Sequence, residues 1–184
     1  MRGSEMRGLL VGRFQPFHRG HLAVVREIAA ERPGTGLLLA IGSAEESFTW
    51  TNPFTAGERF EMIDRALRGT EGGPFHIVPV ADIRRHAQWV HYLESLLPEF
   101  DRVYTNNPLT RLLFERAGYT VAHPRLVDRR RYEGERVRAC LASDRGWKSL
   151  VPPPVAEYLS SIGAPSRLSM LRARDAGRRR SGTA

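Results

Sequence analysis

Five short apolar stretches predict β-strands along the first two thirds of the chain. They are rich in Leu, Val and Ile, and turn residues flank several of them, as is typical of strands in a buried sheet. The predicted strands are GLLVG (8–12), GLLLAIG (36–42), FHIVPV (75–80), RVYT (102–105) and YTVAH (119–123).

Four segments between these strands have apolar residues three and four positions apart, which predicts helices. They are 20–31, 56–68, 87–97 and 109–117. Because parallel strands need long crossover connections, this alternation predicts an α/β fold, a Rossmann-like open parallel sheet with helices on both faces. From about residue 134 the pattern is helical only, which predicts a small C-terminal helical appendage.

The length of 184 residues predicts one domain with a sizeable core. We place that domain at residues 1–165 and a basic tail at residues 166–184. The tail is rich in Arg, Gly, Ser and Ala, and we expect its end, RRRSGTA, to be disordered.

The formal net charge of +8 would favour a nucleic-acid partner if it were spread over the chain. Six arginines and one aspartate follow residue 166, so five of the eight excess positive charges lie in the tail. The rest of the chain has an ordinary charge, and we do not expect a nucleic-acid partner. No long apolar run or signal peptide is present, which predicts a cytoplasmic protein without a membrane partner. The single cysteine, Cys140, excludes an internal disulfide.

Polar residues follow each of the first four predicted strands. These residues are Arg13 to His21, Ser43 to Ser47, Asp82 to Trp89 and Thr105 to Pro108. In an open parallel sheet, ligands bind beyond the carboxyl ends of the strands. The sequence therefore predicts a binding site at that edge.

The stretch GRFQPFHRGH (12–21) joins the first strand to the first helix and suggests an anion site. Gly12 permits a sharp turn, and Gly20 at the helix start leaves room for a phosphate beside free N–H groups. His18 and His21 are three residues apart, so both rings can face the same space, to which Arg13 adds a cation. Two alternatives remain, ordinary capping or surface histidines and a zinc site, although no suitable third zinc ligand accompanies them.

The same stretch resembles the HxGH signature of the nucleotidylyltransferase superfamily. The longer string resembles archaeal-type nicotinamide mononucleotide (NMN) adenylyltransferases. Further segments match in order between residues 7 and about 163: IGSAEES (41–47), NPFTAGERFEMI (52–63), Asp82-Ile83, Trp89-Val90 and FDRVYTNNPL (100–109).

The resemblance implies transfer of AMP from ATP to NMN, giving NAD and pyrophosphate, with Mg²⁺ bound to the triphosphate. It implies catalytic roles for Arg13, His18, His21 and Arg138. It implies nucleotide binding by Gly12, Phe14, Gly20, Gly42, Ser43, Asn107 and Arg136. It implies acceptor binding by Asp82, His86 and Trp89, with the Trp89 ring stacked on the acceptor. No protein residue is expected to ligate a metal, and a homo-oligomer is implied.

Two departures from the family pattern leave the substrates open. Where the family has a motif close to SGTEIR, this chain has EGERVR (133–138), so Glu133 and Glu135 replace hydroxyl residues. Carboxylates beside a triphosphate repel it unless they bind the metal or pair with arginines, and Arg131 and Arg136 are available for pairing. His86 stands where the family has an asparagine that reads the carboxamide, and Phe48 stands where we expect histidine.

These departures keep a second hypothesis open, a cytidylyl- or adenylyltransferase for another phosphate or phosphonate. A third, less favoured hypothesis is a non-catalytic nucleotide sensor or nucleic-acid-binding protein that uses the basic tail.

The segment FTAGER (54–59) predicts a helix start capped by Thr55 or Asn52, with Glu58 and Arg59 as an ion pair. Trp50, Trp147 and Cys140 are interpreted as packing residues.

Overall fold

The computed structural model describes residues 7–125, 128 and 130–181, with a five-stranded sheet at its centre. Residues 1–6 and 182–184, which belong to the predicted domain and tail, lie outside the described residues. The strands are β1 (Arg7–Gly12), β2 (Leu37–Ile41), β3 (Phe75–Pro79), β4 (Phe100–Tyr104) and β5 (Thr120–Ala122).

The sheet order is β3-β2-β1-β4-β5, and every neighbouring pair is parallel. The predicted α/β fold and its five strands are confirmed. The chain builds outward from β1 on one side and then returns to place β4 on the other. The switch point therefore lies between β1 and β4, where open α/β sheets bind ligands.

Helices cover both faces of the sheet, as predicted. They are α1 (Arg19–Glu31), α2 (Ala56–Leu67), α3 (His86–Leu96), α4 (Pro108–Arg116), α5 (Gly134–Ala142), α6 (Pro153–Ser161) and α7 (Ala164–Ser181). None of the described helices is long and apolar enough to cross a membrane.

Alternate residues of the central strands face two separate cores, as a two-residue period requires. Leu39 of β2 belongs to the core under α1, α2 and the C-terminal helices. Leu38, its neighbour, belongs to the core under α3 and α4. The helical appendage therefore thickens one face of the sheet.

Helix α7 differs from the predicted tail. Leu168 and Leu171 are buried in the core, and the Arg167 guanidinium pairs with Glu58 of α2 at 2.7 Å. The boundary expected at residue 165 thus falls inside a packed helix. The backbone is helical as far as Ser181, and the disorder expected at the end of the chain stays a prediction. Leucines three residues apart are enough to hold the start of this Arg-rich helix on the core.

Candidate active site

A cleft of about 290 Å³ opens at the carboxyl edge of the sheet. It is lined by turns after β1, β2 and β3 and by the starts of α3 and α4. Seven of the predicted site residues line it: Gly12, Arg13, Gly42, Ser43, Asp82, Trp89 and Asn107. The segments that follow four strands, β1 to β4, thus supply one site.

His18 and His21 cap the start of α1 reciprocally. The His21 backbone N–H donates to Nδ1 of His18 at 3.2 Å, and the His18 backbone N–H donates to Nδ1 of His21 at 3.3 Å. A nitrogen that accepts a hydrogen bond carries no proton, so the neutral rings hold their proton on Nε2. The capping box therefore gives both histidines an Nε2–H donor.

The two imidazoles lie in an aromatic column. Their centroids are 3.6 Å apart and their planes differ by 15°, while Tyr132 covers His18 at 6.3 Å and Phe17 covers His21 at 5.5 Å. The Phe14 ring meets His21 edge-on at 5.0 Å. Packing on several sides fixes the ring planes before any ligand binds.

Burial keeps this pair neutral. Burial is the main cause that lowers the pKa of His18 to about 4; a backbone hydrogen bond opposes it, and the nearby Arg138 charge adds to the lowering. Desolvation, with His18 as second cause, lowers the pKa of His21 well below its ordinary value. At pH 7 the pair offers N–H donors without charge, and the positive charge of the site must come from arginines.

Arg138 is a buried cation beside the histidines. Its Nη1 donates to the Gln15 carbonyl at 3.0 Å, whereas its buried Nε has no hydrogen-bond partner. Burial lowers the pKa of Arg138, Arg13 lowers it further, and Glu135 opposes both. No carboxylate within the described ranges forms an ion pair with Arg13 or Arg138. Two neighbouring cations without an acidic contact favour an anion.

Gly20 and Phe14 pack against neighbouring side chains, and their nucleotide contacts stay predictions. A Cβ on Gly20 would lie 2.8 Å from the Tyr132 Cβ and 3.2 Å from the His18 ring, so the space there holds side chains rather than a phosphate. The helix N–H groups of Arg19 and His21 are already bonded to Leu150 O and His18 Nδ1. Phe14 is buried, and its ring packs edge-on against His21.

Sequence reasoning missed the role of Arg59 and misassigned its partner. Glu58 completes a capping box with Thr55 and pairs with Arg167, so the expected Glu58–Arg59 ion pair is wrong. Arg59 is fully buried and donates to backbone carbonyls of the turns after β1 and β2. Its place on the apolar side of α2, three and four residues before Met62 and Ile63, was the available signal.

The predicted acceptor residues form the opposite, more open wall. Trp89 is half-buried and contacts Phe114 edge-on with ring centroids 5.6 Å apart. The Asp82 carboxylate accepts from the Arg84 backbone N–H at 2.9 Å and is otherwise exposed. His86 is the exposed first residue of α3, one turn before Trp89. Asn107 caps α4 through its Oδ1, which leaves only its amide NH₂ group for a ligand.

Comparison with known proteins identifies the family of this chain. The cytidylyltransferase-like family model matches residues 9–132. The nicotinamide-nucleotide adenylyltransferase of Methanococcus aeolicus is 41% identical over 170 residues, 92% of this chain and 97% of that protein. The chain belongs to this family of nucleotidyltransferases. The enzymes of the same name from Thermoplasma acidophilum and Haloarcula marismortui are 42% and 44% identical, over 94% and 89% of this chain and 95% and 85% of their own.

A solved structure agrees on the fold. It is a bifunctional NMN adenylyltransferase/ADP-ribose pyrophosphatase from Francisella tularensis, complexed with AMP and a manganese ion, and its TM-score is 0.74 at 18% identity. The match covers 97% of this chain and 56% of the bifunctional chain, so this chain spans just over half of that protein.

The two glutamates that depart from the nucleotidyltransferase motif lie at the start of α5. Glu133 is the N-cap residue but makes no side-chain capping bond, and Glu135 acts on Arg138 by raising its pKa. Neither forms an ion pair with Arg131 or Arg136 in the part of the chain that the structure describes. The pairing that the sequence left open is therefore not formed there, and Glu135 partly offsets the Arg138 charge instead. Arg136 is exposed on the first turn of α5.

Proposed function

We propose that this enzyme transfers AMP from ATP to NMN, giving NAD and pyrophosphate. The observation that carries the proposal is the shared cleft. It joins Arg13 of the polycationic side to Trp89 of the aromatic side, in a chain 41–44% identical to nicotinamide-nucleotide adenylyltransferases. One wall suits a triphosphate, and the other suits a flat ring.

The chemistry requires no protein base. The acceptor phosphate has a second pKa of about 6, so its oxygen is already ionised when it attacks the α-phosphorus of ATP. A bond forms between that oxygen and the α-phosphorus, and the bond from the α-phosphorus to the bridging oxygen of pyrophosphate breaks. The low pKa of His18 agrees with this scheme, because a neutral imidazole can donate its Nε2–H without exchanging a proton.

The histidines and arginines then stabilise charge. We assign the Nε2–H groups of His18 and His21 to the triphosphate oxygens, where negative charge builds up as pyrophosphate leaves. Arg13 and Arg138 supply the positive charge that the neutral imidazoles lack. In enzymes that stabilise an oxyanion, removal of one such donor costs roughly 100- to 1000-fold in kcat.

A divalent cation, which we take to be Mg²⁺, fits as part of the nucleotide substrate. The donors here are guanidinium and imidazole N–H groups, which complement phosphate oxygens rather than a bare cation. Within the described residues, no group of three or more His, Cys, Asp or Glu could hold a metal ion. The cation would reduce the charge of the triphosphate that the arginines receive.

The test is pyrophosphate release by purified protein with Mg²⁺, using ATP or CTP and a panel of phosphorylated acceptors. ATP with NMN should give the highest kcat/KM and a product with the mass of NAD. Absence of that turnover, beside turnover of another pair, would replace this function by the cytidylyl- or adenylyltransferase for another phosphate or phosphonate. His86 beside Trp89 is the observation that favours this second candidate.

A non-catalytic, nucleic-acid-binding role is tested in the same preparation. It requires salt-sensitive binding of DNA or RNA that disappears with the end of the tail. Because Leu168 and Leu171 belong to the core, the deletion must begin at residue 178 rather than at residue 167. The cytoplasmic location and the homo-oligomeric state remain predictions, and sedimentation velocity would test the second.

A further inference from the structure

Arg59 joins three separate segments behind the cleft. Its Nη1 donates to the carbonyls of Arg13 at 3.0 Å and Gly42 at 2.8 Å, and its Nη2 donates to the Ser43 carbonyl at 3.0 Å. Its Nε donates to the carbonyl of Thr55, the N-cap residue of its own helix, at 3.2 Å. Four carbonyls thus surround one guanidinium that is fully buried.

This guanidinium is a cation without an acidic contact among the described residues. Burial lowers the pKa of Arg59 to about 10, with Glu45 and Glu46 opposing and Arg13 assisting. Arg59 therefore keeps its charge at neutral pH. A buried ion pair would have been the ordinary arrangement, and carbonyl dipoles replace it here.

The two turns whose carbonyls Arg59 binds share an unusual backbone conformation with a positive φ angle. Phe14 has φ 51° and Ser43 has φ 48°, and each directly follows a residue whose carbonyl Arg59 holds. Residues other than glycine rarely adopt this left-handed backbone conformation unless neighbouring contacts stabilise it. The two strand-end turns therefore have the same strained form and the same anchor.

The hydrogen bonds from Arg59 also set the direction of two backbone N–H donors. In a trans peptide the C=O and the following N–H point in opposite directions. Holding the Arg13 and Gly42 carbonyls therefore turns the N–H groups of Phe14 and Ser43 away from Arg59. Gly12, Arg13, Gly42 and Ser43 line the cleft, whereas Arg59 does not.

We propose that Arg59 is a positioning residue that holds the turns after β1 and β2 in the form that binds a polyphosphate. It acts through those turns and touches no substrate. The inference relies on the proposed function only in taking the cleft as the polyphosphate site. The ligand class is the inorganic or nucleoside polyphosphate, independent of the acceptor.

The test compares two matched substitutions in the full-length protein. Arg59→Lys keeps the charge but cannot reach three segments from one nitrogen. Arg65→Lys is the control on the same helix, where the guanidinium pairs with Glu61 on the surface. Isothermal titration with tripolyphosphate should show at least roughly tenfold weaker binding for Arg59→Lys and less than twofold change for Arg65→Lys.

A double-mutant cycle with Ser43→Gly separates local positioning from general stability. Glycine adopts the left-handed conformation without steric strain, so it should restore part of the affinity that Arg59→Lys loses. Unfolding curves without ligand accompany each titration. Loss of global stability alone would lower the melting temperature without any rescue of tripolyphosphate affinity by glycine.

Three results would overturn the proposal. They are unchanged tripolyphosphate affinity in folded Arg59→Lys, an equal loss with Ser or Gly at position 43, and a failure of Arg59→Lys to fold even with tripolyphosphate present. The last would make Arg59 a folding determinant rather than a positioning residue. None depends on NMN, so absence of NMN turnover in the unmodified protein would contradict the proposed function alone.

Discussion

The predicted phosphate side and the predicted acceptor side of the candidate site, around the cleft that Arg13 and Trp89 line, are built in opposite ways. On the phosphate side, His18 and Arg138 are 6% and 7% exposed, and each is held by a hydrogen bond and by packing. On the acceptor side, His86 is exposed, and Trp89 is half-buried with one edge contact to Phe114. The first wall is fixed by many contacts before a ligand binds, and the second wall is fixed by few.

This difference matches the demands of each half of the reaction. Charge stabilisation during phosphoryl transfer depends on donors whose positions do not change during the step. Recognition of the acceptor depends on a few side chains, and it can change without disturbing the phosphate wall. We therefore expect a substitution such as His86 to affect the choice of substrate rather than the type of reaction.

The largest expected effect comes from breaking the phosphate wall. His21→Ala should lower kcat by roughly 100-fold or more, because it removes one donor to the triphosphate. The exposed histidine His91, which pairs with Glu94, provides the control His91→Ala with unchanged kcat. His18→Ala should also cost about 1 kcal/mol of stability, because it removes the N-cap of α1. Turnover by His21→Ala within threefold of the unmodified enzyme would show that the wall does not act on the reaction.

The second-largest effect is expected at low pH, where protonation of His18 should lower the free energy of unfolding. Because the pKa of His18 is about 4 in the fold and 6.5 as its ordinary value, the folded protein binds fewer protons between these values. Stability is therefore complete above pH 6.5 and falls as the pH drops toward 4, by about 3 kcal/mol in the free energy of unfolding.

Urea unfolding at pH 7 and pH 4.5 measures this loss. His18→Asn keeps a good N-cap residue without a titrating ring, so its stability should fall less between the two pH values. Equal losses in both proteins would mean that His18 is not held neutral by burial.

A smaller effect is expected from the acceptor wall. Trp89→Ala should raise the KM for NMN by about tenfold with little change in kcat, because a stacked ring contributes about 1–3 kcal/mol to binding. Trp89→Phe keeps an aromatic face and should stay within threefold of the unmodified enzyme. Phe60→Ala removes an exposed aromatic ring of α2 and serves as the control. A fall in kcat at unchanged KM would place Trp89 on the phosphate side.

The sequence was sufficient for the sheet, and it predicts one edge of that sheet as the place of the candidate site. Strand alternation and helical spacing are local patterns, so β1 to β5 and α1 to α4 could be predicted from them. The edge of the site followed from the strand ends and the parallel connections, and the structure brings Arg13, Ser43, Trp89 and Asn107 to one cleft there.

The missed features depend on long-range contacts. Arg59 looks like a surface residue by type, and only the turns it meets from residues 13, 42 and 43 show that it is buried. The Arg-rich composition of α7 masked Leu168 and Leu171, which pack on the core. The proton position on His18 and His21 follows from hydrogen-bond directions, which no residue spacing reveals.

The central claim is that His18 and His21 meet the triphosphate as neutral Nε2–H donors. Nitrogen NMR of histidine-labelled protein at pH 7, with and without ATP and Mg²⁺, measures the protonation of each ring nitrogen. Signals are assigned by comparison with the His18→Asn and His21→Ala variants. We predict the Nε2–H tautomer for both rings before and after ATP binds, with the Nε2 signals moving on binding. The claim would be contradicted by a proton on Nδ1 of the neutral rings, by charged rings, or by Nε2 signals that do not change when ATP binds.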